Sequence, residues 1–484
     1  MSKLISAIHE YASTQGNSAA LISNGITLSY QELAGKIDEL SKILSQYKGK
    51  CAGLELKNGF NWVLLDLACI SEGVITVPLP DFFTPKQRQH ALSTSGASLL
   101  FSDTLNNDAK SIFSINDSVI ALERLKNPSI QLPEGTAKIT YTSGTTGEPK
   151  GVCLSQAGME KVAASLIEVI GKSAAEKTAA VLPLAVLLEN IAGCYATLLA
   201  GGCYDVQSQS SIGFQNGMLP DSQKLLEYLH KSHARSCILV PELLRGLMKT
   251  MLVSGLRLPE MKFIAVGGSR VSESLLRQAQ ETGLPLYEGY GLSEAASVVA
   301  VNTPKQHKTG SVGQLLPHGE VYIAADGEIL LSCPALLGYV GEGVAAEHFA
   351  TGDVGDIDTQ GFLHITGRKK NIIINSMGRN ISPEWPESEL LAQPPIAQAV
   401  VLGDARAELV ALIVPGAASV DSGQIDTAVT RVNTQLPEYA QIKHWQMVMP
   451  FSTENQQLTG TGRPRRDVIA KAYRDQINTM YSVA

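Results

Sequence analysis

The chain has 484 residues, of which 44% are hydrophobic and 18% charged, which excludes a disordered chain and, at about 150 residues per domain, allows several buried cores. A formal net charge of −7, from 39 Lys+Arg against 46 Asp+Glu, gives no basis for a nucleic-acid partner, which usually needs a strongly basic face. The seven cysteines are dispersed and contain no CxxC pair, which argues against a disulfide framework or structural zinc and for a reducing, cytoplasmic location.

Met1 to Gly16 lacks the apolar core of a signal peptide. Beyond it, apolar runs alternate with segments of period near 3.6. A helix is expected over Tyr30 to Leu44, with buried strands over Val74 to Leu79 and Ser98 to Phe101. The greasiest stretch, Ala179 to Gly202, is broken by Pro183, Glu189 and Asn190. It falls short of the roughly 20 uninterrupted apolar residues of a membrane span, so no transmembrane segment is expected. A helix over Ser222 to His230 and strands over Cys237 to Val240 and Lys262 to Val266 continue the alternation, which predicts α/β layers. Gly319 to Leu331 switches to short alternating strands around an Asp326-Gly327 turn, a small β-rich subdomain. A second change falls at Gly367-Arg368-Lys369-Lys370-Asn371. The run Ile372-Ile373-Ile374, a loop from Gly378 to Pro383, a helix from Glu384 and a strand over Ala399 to Leu402 follow. The expected fold is a large α/β N-terminal domain (1–367) of layered subdomains, a hinge near 368–370, and a small mobile α+β domain (371–484).

The strongest local signal is Tyr141-Thr142-Ser143-Gly144-Thr145-Thr146-Gly147-Glu148-Pro149-Lys150-Gly151-Val152. Its glycines permit conformations in which successive N–H groups turn toward one anion. The Ser/Thr hydroxyls and Lys150 add donors suited to phosphate oxygens. Pro149 stands where a Walker A loop needs glycine, so the pattern is a different one. The segment resembles the signature loop of the adenylate-forming superfamily, which includes acyl-CoA synthetases, firefly-type luciferases and peptide-synthetase adenylation domains.

Further motifs are similar to that family's in the same order, from about residue 20 to about residue 470. Leu28-Ser29-Tyr30-Gln31-Glu32-Leu33 and Gly73-Val74-Ile75-Thr76-Val77-Pro78-Leu79 match structural segments. Gly267-Gly268-Ser269 resembles the adenine-side turn, although a Gly-Gly pair after a strand is by itself only a turn. Tyr290-Gly291-Leu292-Ser293-Glu294 resembles "YGxTE". The resemblance implies Tyr290 stacking on adenine, Ser293 near phosphate and Glu294 as the magnesium ligand, a role that suits a carboxylate beside substrate phosphates. Thr351-Gly352-Asp353 resembles "TGD", whose acid accepts from ribose hydroxyls. In Gly367-Arg368-Lys369-Lys370-Asn371, Arg368 would contact ribose or phosphate and Lys370 would be the pivot. The loop from Gly378 resembles one that lines the thiol tunnel, with Glu384 following Pro383 directly. Leu458-Thr459-Gly460-Thr461-Gly462-Arg463-Pro464-Arg465-Arg466 resembles the terminal "LTxxGKxxR".

Two departures stand out. Arg463 occupies the position of the family's catalytic lysine, and a planar guanidinium does not replicate a compact ammonium. After Leu182-Pro183-Leu184, Ala185 and Val186 replace an aromatic-His pair, and Leu188 stands where amino-acid-activating relatives carry an acid. An amino-acid substrate is therefore disfavoured, and an apolar carboxylate fits. The resemblance implies an acid–thiol ligase using ATP, Mg2+ and coenzyme A on a small carboxylic acid, with Arg463, Lys150, Glu294 and Ser293 as catalytic residues. Two alternatives stay open: loading of a separate acyl carrier protein, and a nucleotide-binding regulatory protein in which Arg463 marks lost catalysis.

Overall fold

The computed structural model describes residues 2–104, 110–115, 118–142, 149–214, 221–459 and 462–482. Two large sheets dominate the first two-thirds of the chain. One is a nine-stranded sheet in the order Gln314–Leu315, Ala300–Val301, Leu286–Tyr290, Phe263–Val266, Ser236–Leu239, Lys177–Ala179, Cys203–Asp205, Ala19–Ser23, Ile26–Ser29. The second has eight strands, with Thr136–Thr142 and Lys150–Ser155 near one edge and Ile75–Pro78, Cys51–Glu55 and Leu99–Ser102 inside.

The elements form where the sequence places them. Ser29 caps the helix Tyr30–Leu44 through a reciprocal bond with Glu32, and Leu33, Ile37, Leu40 and Leu44 are fully buried on one face. The helix over Ser222–Ser232 runs two residues past the expected end and stops where His233 turns left-handed, at φ 52°. Glu320–Ile323 and Glu328–Ser332 form the expected hairpin, within a four-stranded sheet completed by Phe349–Ile357 and Leu363–Arg368.

The greasy stretch is not one helix. Strand Lys177–Ala179 ends, the chain turns, and helical structure resumes only at Leu188–Tyr195 and Ala196–Leu199. The fully buried Glu189 fixes this turn. Its carboxylate accepts the N–H of Leu182 at 2.9 Å and of Val181 at 3.3 Å and the Tyr204 hydroxyl at 2.8 Å. Among the described residues no helix is long and apolar enough to cross a membrane.

A second buried polar group braces the strand that carries the glycine-rich loop. Lys138 Nζ donates to Asp66 Oδ1 at 2.8 Å, Asn190 Oδ1 at 2.6 Å and Tyr195 Oη at 3.0 Å, with all four residues buried. Such a cation costs several kcal/mol of desolvation unless it is fully paired, as it is here.

From Ile373 onward a separate core forms. Leu390, Val401, Leu409, Ile413, Ile425 and Val432 pack between the antiparallel and parallel strands Ile396–Leu402, Leu409–Pro415 and Ile442–Met447 and the helices Glu384–Leu391 and Ser422–Asn433. This small unit docks on the large one. Ser274 Oγ donates to Glu389 Oε2 at 2.6 Å, and Arg245 Nη1 donates to the Leu391 carbonyl at 2.7 Å.

Candidate active site

The glycine-rich loop springs from a hairpin whose base is tightly held. Thr142 pairs with Lys150 and Tyr141 with Gly151 across the antiparallel ladder. Tyr141 Oη lies 2.7 Å from Thr94 Oγ1, and His90 Nε2 lies 3.0 Å from the Pro149 carbonyl. Ser143, Gly144, Thr145, Thr146 and Gly147 lie outside the described residues.

Lys150 is exposed at the loop's end. Its ammonium pairs with Glu342 Oε1 at 2.8 Å and sits 5.4 Å from the centre of the Tyr339 ring. The Tyr339 hydroxyl donates to Glu294 Oε1 at 2.9 Å. The lysine expected at phosphate and the carboxylate expected at magnesium are therefore bridged by one aromatic side chain. Tyr339 carried no motif in the sequence reading. Its only local signal is a tyrosine beside Gly338, in a strand that pairs with the one beginning at Lys150.

Tyr290 to Glu294 turn sharply between a strand and a single 3-10 turn, Ser293–Ala295. Gly291 is required here, because a β-carbon would fall 1.5 Å from the Ser297 carbonyl oxygen. The Tyr290 hydroxyl donates to Asp353 Oδ2 at 2.7 Å, and Arg368 Nε donates to Asp353 Oδ1 at 2.8 Å. Asp353 and Arg368 face each other across the ladder, so sheet register sets this contact. Asp353 is 3% exposed. Burial, and then the Asp353 charge, push the Tyr290 phenol well above its ordinary pKa and keep it a donor.

Gly267, Gly268 and Ser269 follow the strand Phe263–Val266, with Gly268 at φ 85°. The Gly268 carbonyl accepts from Arg463 Nη2 at 2.7 Å. The Arg463 pKa is drawn down, first by desolvation and next by the like charge of Arg368. Arg463 and Arg368 line the same cleft, and an anion between the two guanidinium groups would relieve their repulsion. Lys370 lies in the turn just past strand Leu363–Arg368.

Of the site residues that the sequence predicts, the described ones other than Gly378 line a single cleft of about 3460 Å³, and Tyr339 joins them. That exceeds the roughly 300–1,000 Å³ of one small-ligand site and leaves room for several ligands together. Gly378 is the exception. It sits at φ 73° in the turn between Ile373–Ile374 and Asn380–Ile381, its N–H bonded to the Asn375 carbonyl at 2.9 Å, and is not among the cleft's lining residues. Among the described residues no group of three His, Cys, Asp or Glu could hold a metal by itself. A hard cation at Glu294 would draw its remaining oxygens from phosphates and water.

The family model of AMP-binding enzymes matches residues 8–342, and that of the AMP-binding enzyme C-terminal domain matches residues 370–484. The chain is similar to the long-chain-fatty-acid–CoA ligase FadD15 of Mycobacterium bovis, at 26% identity over 87% of this chain and 86% of that protein. It is also similar to the 2-succinylbenzoate–CoA ligase of Bacillus subtilis, at 27% identity over 79% of this chain and 82% of that one. In fold it resembles the anthranilate CoA ligase AuaEII in complex with anthranoyl-AMP, at TM-score 0.81 and 17% identity, covering 97% and 96% of the two chains. The o-succinylbenzoate CoA synthetase of Bacillus subtilis in complex with ATP and magnesium aligns at TM-score 0.76 and 22% identity, covering 95% and 98%. With the family model spanning well over half its length, and Thr142, Lys150, the Tyr290–Asp353–Arg368 cluster and Arg463 gathered on one cleft, this chain belongs to the AMP-binding enzymes.

Proposed function

We propose that the chain activates a fatty carboxylic acid with ATP, releasing pyrophosphate, and then passes the acyl group to the thiol of coenzyme A. The observation that carries this reading is one cleft lined by Arg463 bonded to Gly268, by the Tyr290–Asp353–Arg368 cluster, and by Lys150 and Glu294. The similarity to fatty-acid and aryl-acid CoA ligases supports the choice of acid and acceptor.

In the first step a carboxylate attacks a phosphate, and two anions must approach. The barrier is largely electrostatic and is lowered by fixed cations and donors. Asp353 would accept the ribose hydroxyls, oriented by its bonds from Tyr290 and Arg368. Lys150 and the hydroxyl-rich loop would hold the phosphate tail. Arg463, held at Gly268, places a positive charge where the carboxylate and the phosphate meet. Magnesium held by Glu294, when bound, neutralises phosphate charge.

For the second step the small unit would turn about Lys370, withdrawing Arg463 and bringing the hairpin that contains Gly378 toward the thiol. The 1–367 and 371–484 division with a joint at 368–370 is part of this proposal. It is supported by the separate core beyond Ile373. Gly378 lies off the cleft lining although Ile373 of the same hairpin is on it, which fits a residue that serves the other arrangement. ATP–pyrophosphate exchange across a series of acid chain lengths, followed by addition of CoA and mass detection of the thioester, tests the reading. Exchange without thioester formation from free CoA would point to a carrier protein as acceptor. Absence of exchange with every acid would overturn activation itself.

A further inference from the structure

Beyond the reacting centre the cleft continues between the nine-stranded sheet and the helical segments laid over it. Its walls there are apolar, with Ile238, Ala265 and Phe263 from the sheet and Leu166, Ala192 and Ala196 from the helices. Ser236, Ile238 and Val240 fall on one face of their extended segment by the two-residue alternation of a strand. Val240 marks the nucleotide end, since a β-carbon on Gly268 would lie 3.5 Å from its Cγ1. Ser236 is four residues further down, roughly 13 Å at the rise of a strand.

At that depth the lining turns polar. Thr178, Thr197 and Ser236 all reach the cleft, although they are only 4%, 1% and 6% exposed. Thr178 and Ser236 are register partners on neighbouring parallel strands. Thr178 Oγ1 lies 2.9 Å from Ser236 Oγ, and Thr197 Oγ1 donates to Thr178 Oγ1 at 2.6 Å. A helical threonine commonly donates to a carbonyl one turn back, but Thr197 is turned toward the sheet instead. Three hydroxyls carry three protons, and the two contacts use two. Among the described residues no other hydrogen-bond partner meets this trio. One donor and several lone pairs are therefore left at the floor of an apolar passage, where an unmade bond is costly.

We propose that the acid taken by this cleft carries an uncharged oxygen, a hydroxyl or a carbonyl, far along its tail, and that Ser236 and Thr178 receive it. The proposal rests on the reading of the cleft as a carboxylic-acid site and narrows the class of acid. A plain methyl end would leave the floor's hydroxyl unsatisfied. A tail carboxylate or ammonium set among these three hydroxyls and the apolar walls would lie without a counter-charge from any of them.

The test uses the full-length protein in ATP–pyrophosphate exchange with matched pairs of straight-chain acids, ω-hydroxydecanoate against decanoate and their shorter and longer homologues. The expected result is a kcat/KM about tenfold higher for the hydroxy acid at the best length, the worth of one well-placed hydrogen bond. Thr178→Val and Ser236→Ala, each nearly isosteric, should erase or reverse that preference. Equal or better use of the unsubstituted acid by the parent protein overturns the proposal, as does a variant that keeps the preference. If no acid supports exchange, the activation reading fails. Calorimetric titration of the parent protein with the same two acids then decides the floor by itself: tighter binding of the hydroxy acid supports it, and equal binding overturns it.

Discussion

Arg463 Nη2 donates to the carbonyl oxygen of Gly268 at 2.7 Å, joining two residues 195 positions apart and the two packed units of the chain. The bond fixes the guanidinium at the Gly267-Gly268 turn, the turn proposed to face the nucleotide. Arg463→Ala should therefore lower acid-dependent pyrophosphate exchange by about 10²–10³, the scale for losing one transition-state charge stabiliser. Arg463→Lys, which keeps the charge but not the fork, should lie between the two. Rates measured at saturating ATP would separate this loss from weaker nucleotide binding.

Asp353 stands between two donors, and its carboxylate holds both Tyr290 and Arg368 in place. Asp353→Asn removes the charge that orients them and the acceptor expected for the ribose. ATP affinity measured by calorimetry should fall about tenfold or more. Tyr290→Phe, which removes one bond and leaves the ion pair, should cost less.

Glu189 gives a pH signature. Burial pushes its carboxyl from 4.5 up to about 7, against the N–H of Leu182 and the hydroxyl of Tyr204. The folded state therefore holds a proton that the unfolded chain has released. The stability from the protonated form is complete below about pH 4.5, is lost as pH rises toward 7, and changes no further above that. Glu189→Gln should flatten this part of the curve. Thermal melts at pH 5 and pH 8 should show a smaller difference for the variant than for the parent.

Lys138 and Asp66 form a buried pair whose loss should be felt as folding rather than chemistry. Lys138→Met leaves the Asp66 carboxylate buried without its cation, a change on the order of 3–5 kcal/mol. The variant should melt well below the parent, and adding Asp66→Asn should recover part of the difference. A double variant no better than the single one would count against the charge argument.

Much of the architecture is legible because it is local. The strand Ile75–Pro78 is an apolar run between turns, and the Ser29–Glu32 pair announces its helix three residues apart. The tight turn at Gly291 is likewise marked by a glycine that nothing else could replace. What the sequence hides are partners brought in from far along the chain. Tyr339 meets Glu294 across 45 residues, Lys138 meets Asp66 across 72, and Ser274 meets Glu389 across 115. Glu189 read only as an interruption of a greasy run, whereas its carboxylate organises the turn that divides that run. The hydroxyls at the cleft floor were also invisible, since Thr178 and Ser236 become neighbours only through parallel pairing of their strands.

The rung formed by Asp353 and Arg368 is the last of its four-stranded sheet, two residues short of Lys370. If the chain turns at 368–370 as proposed, the carboxylate expected at the sugar lies directly in series with that joint. A ligand that stiffened this rung would then damp the turn, and a turn that twisted the rung would loosen the hold on the sugar, so that occupancy and posture would be coupled through a single strand end.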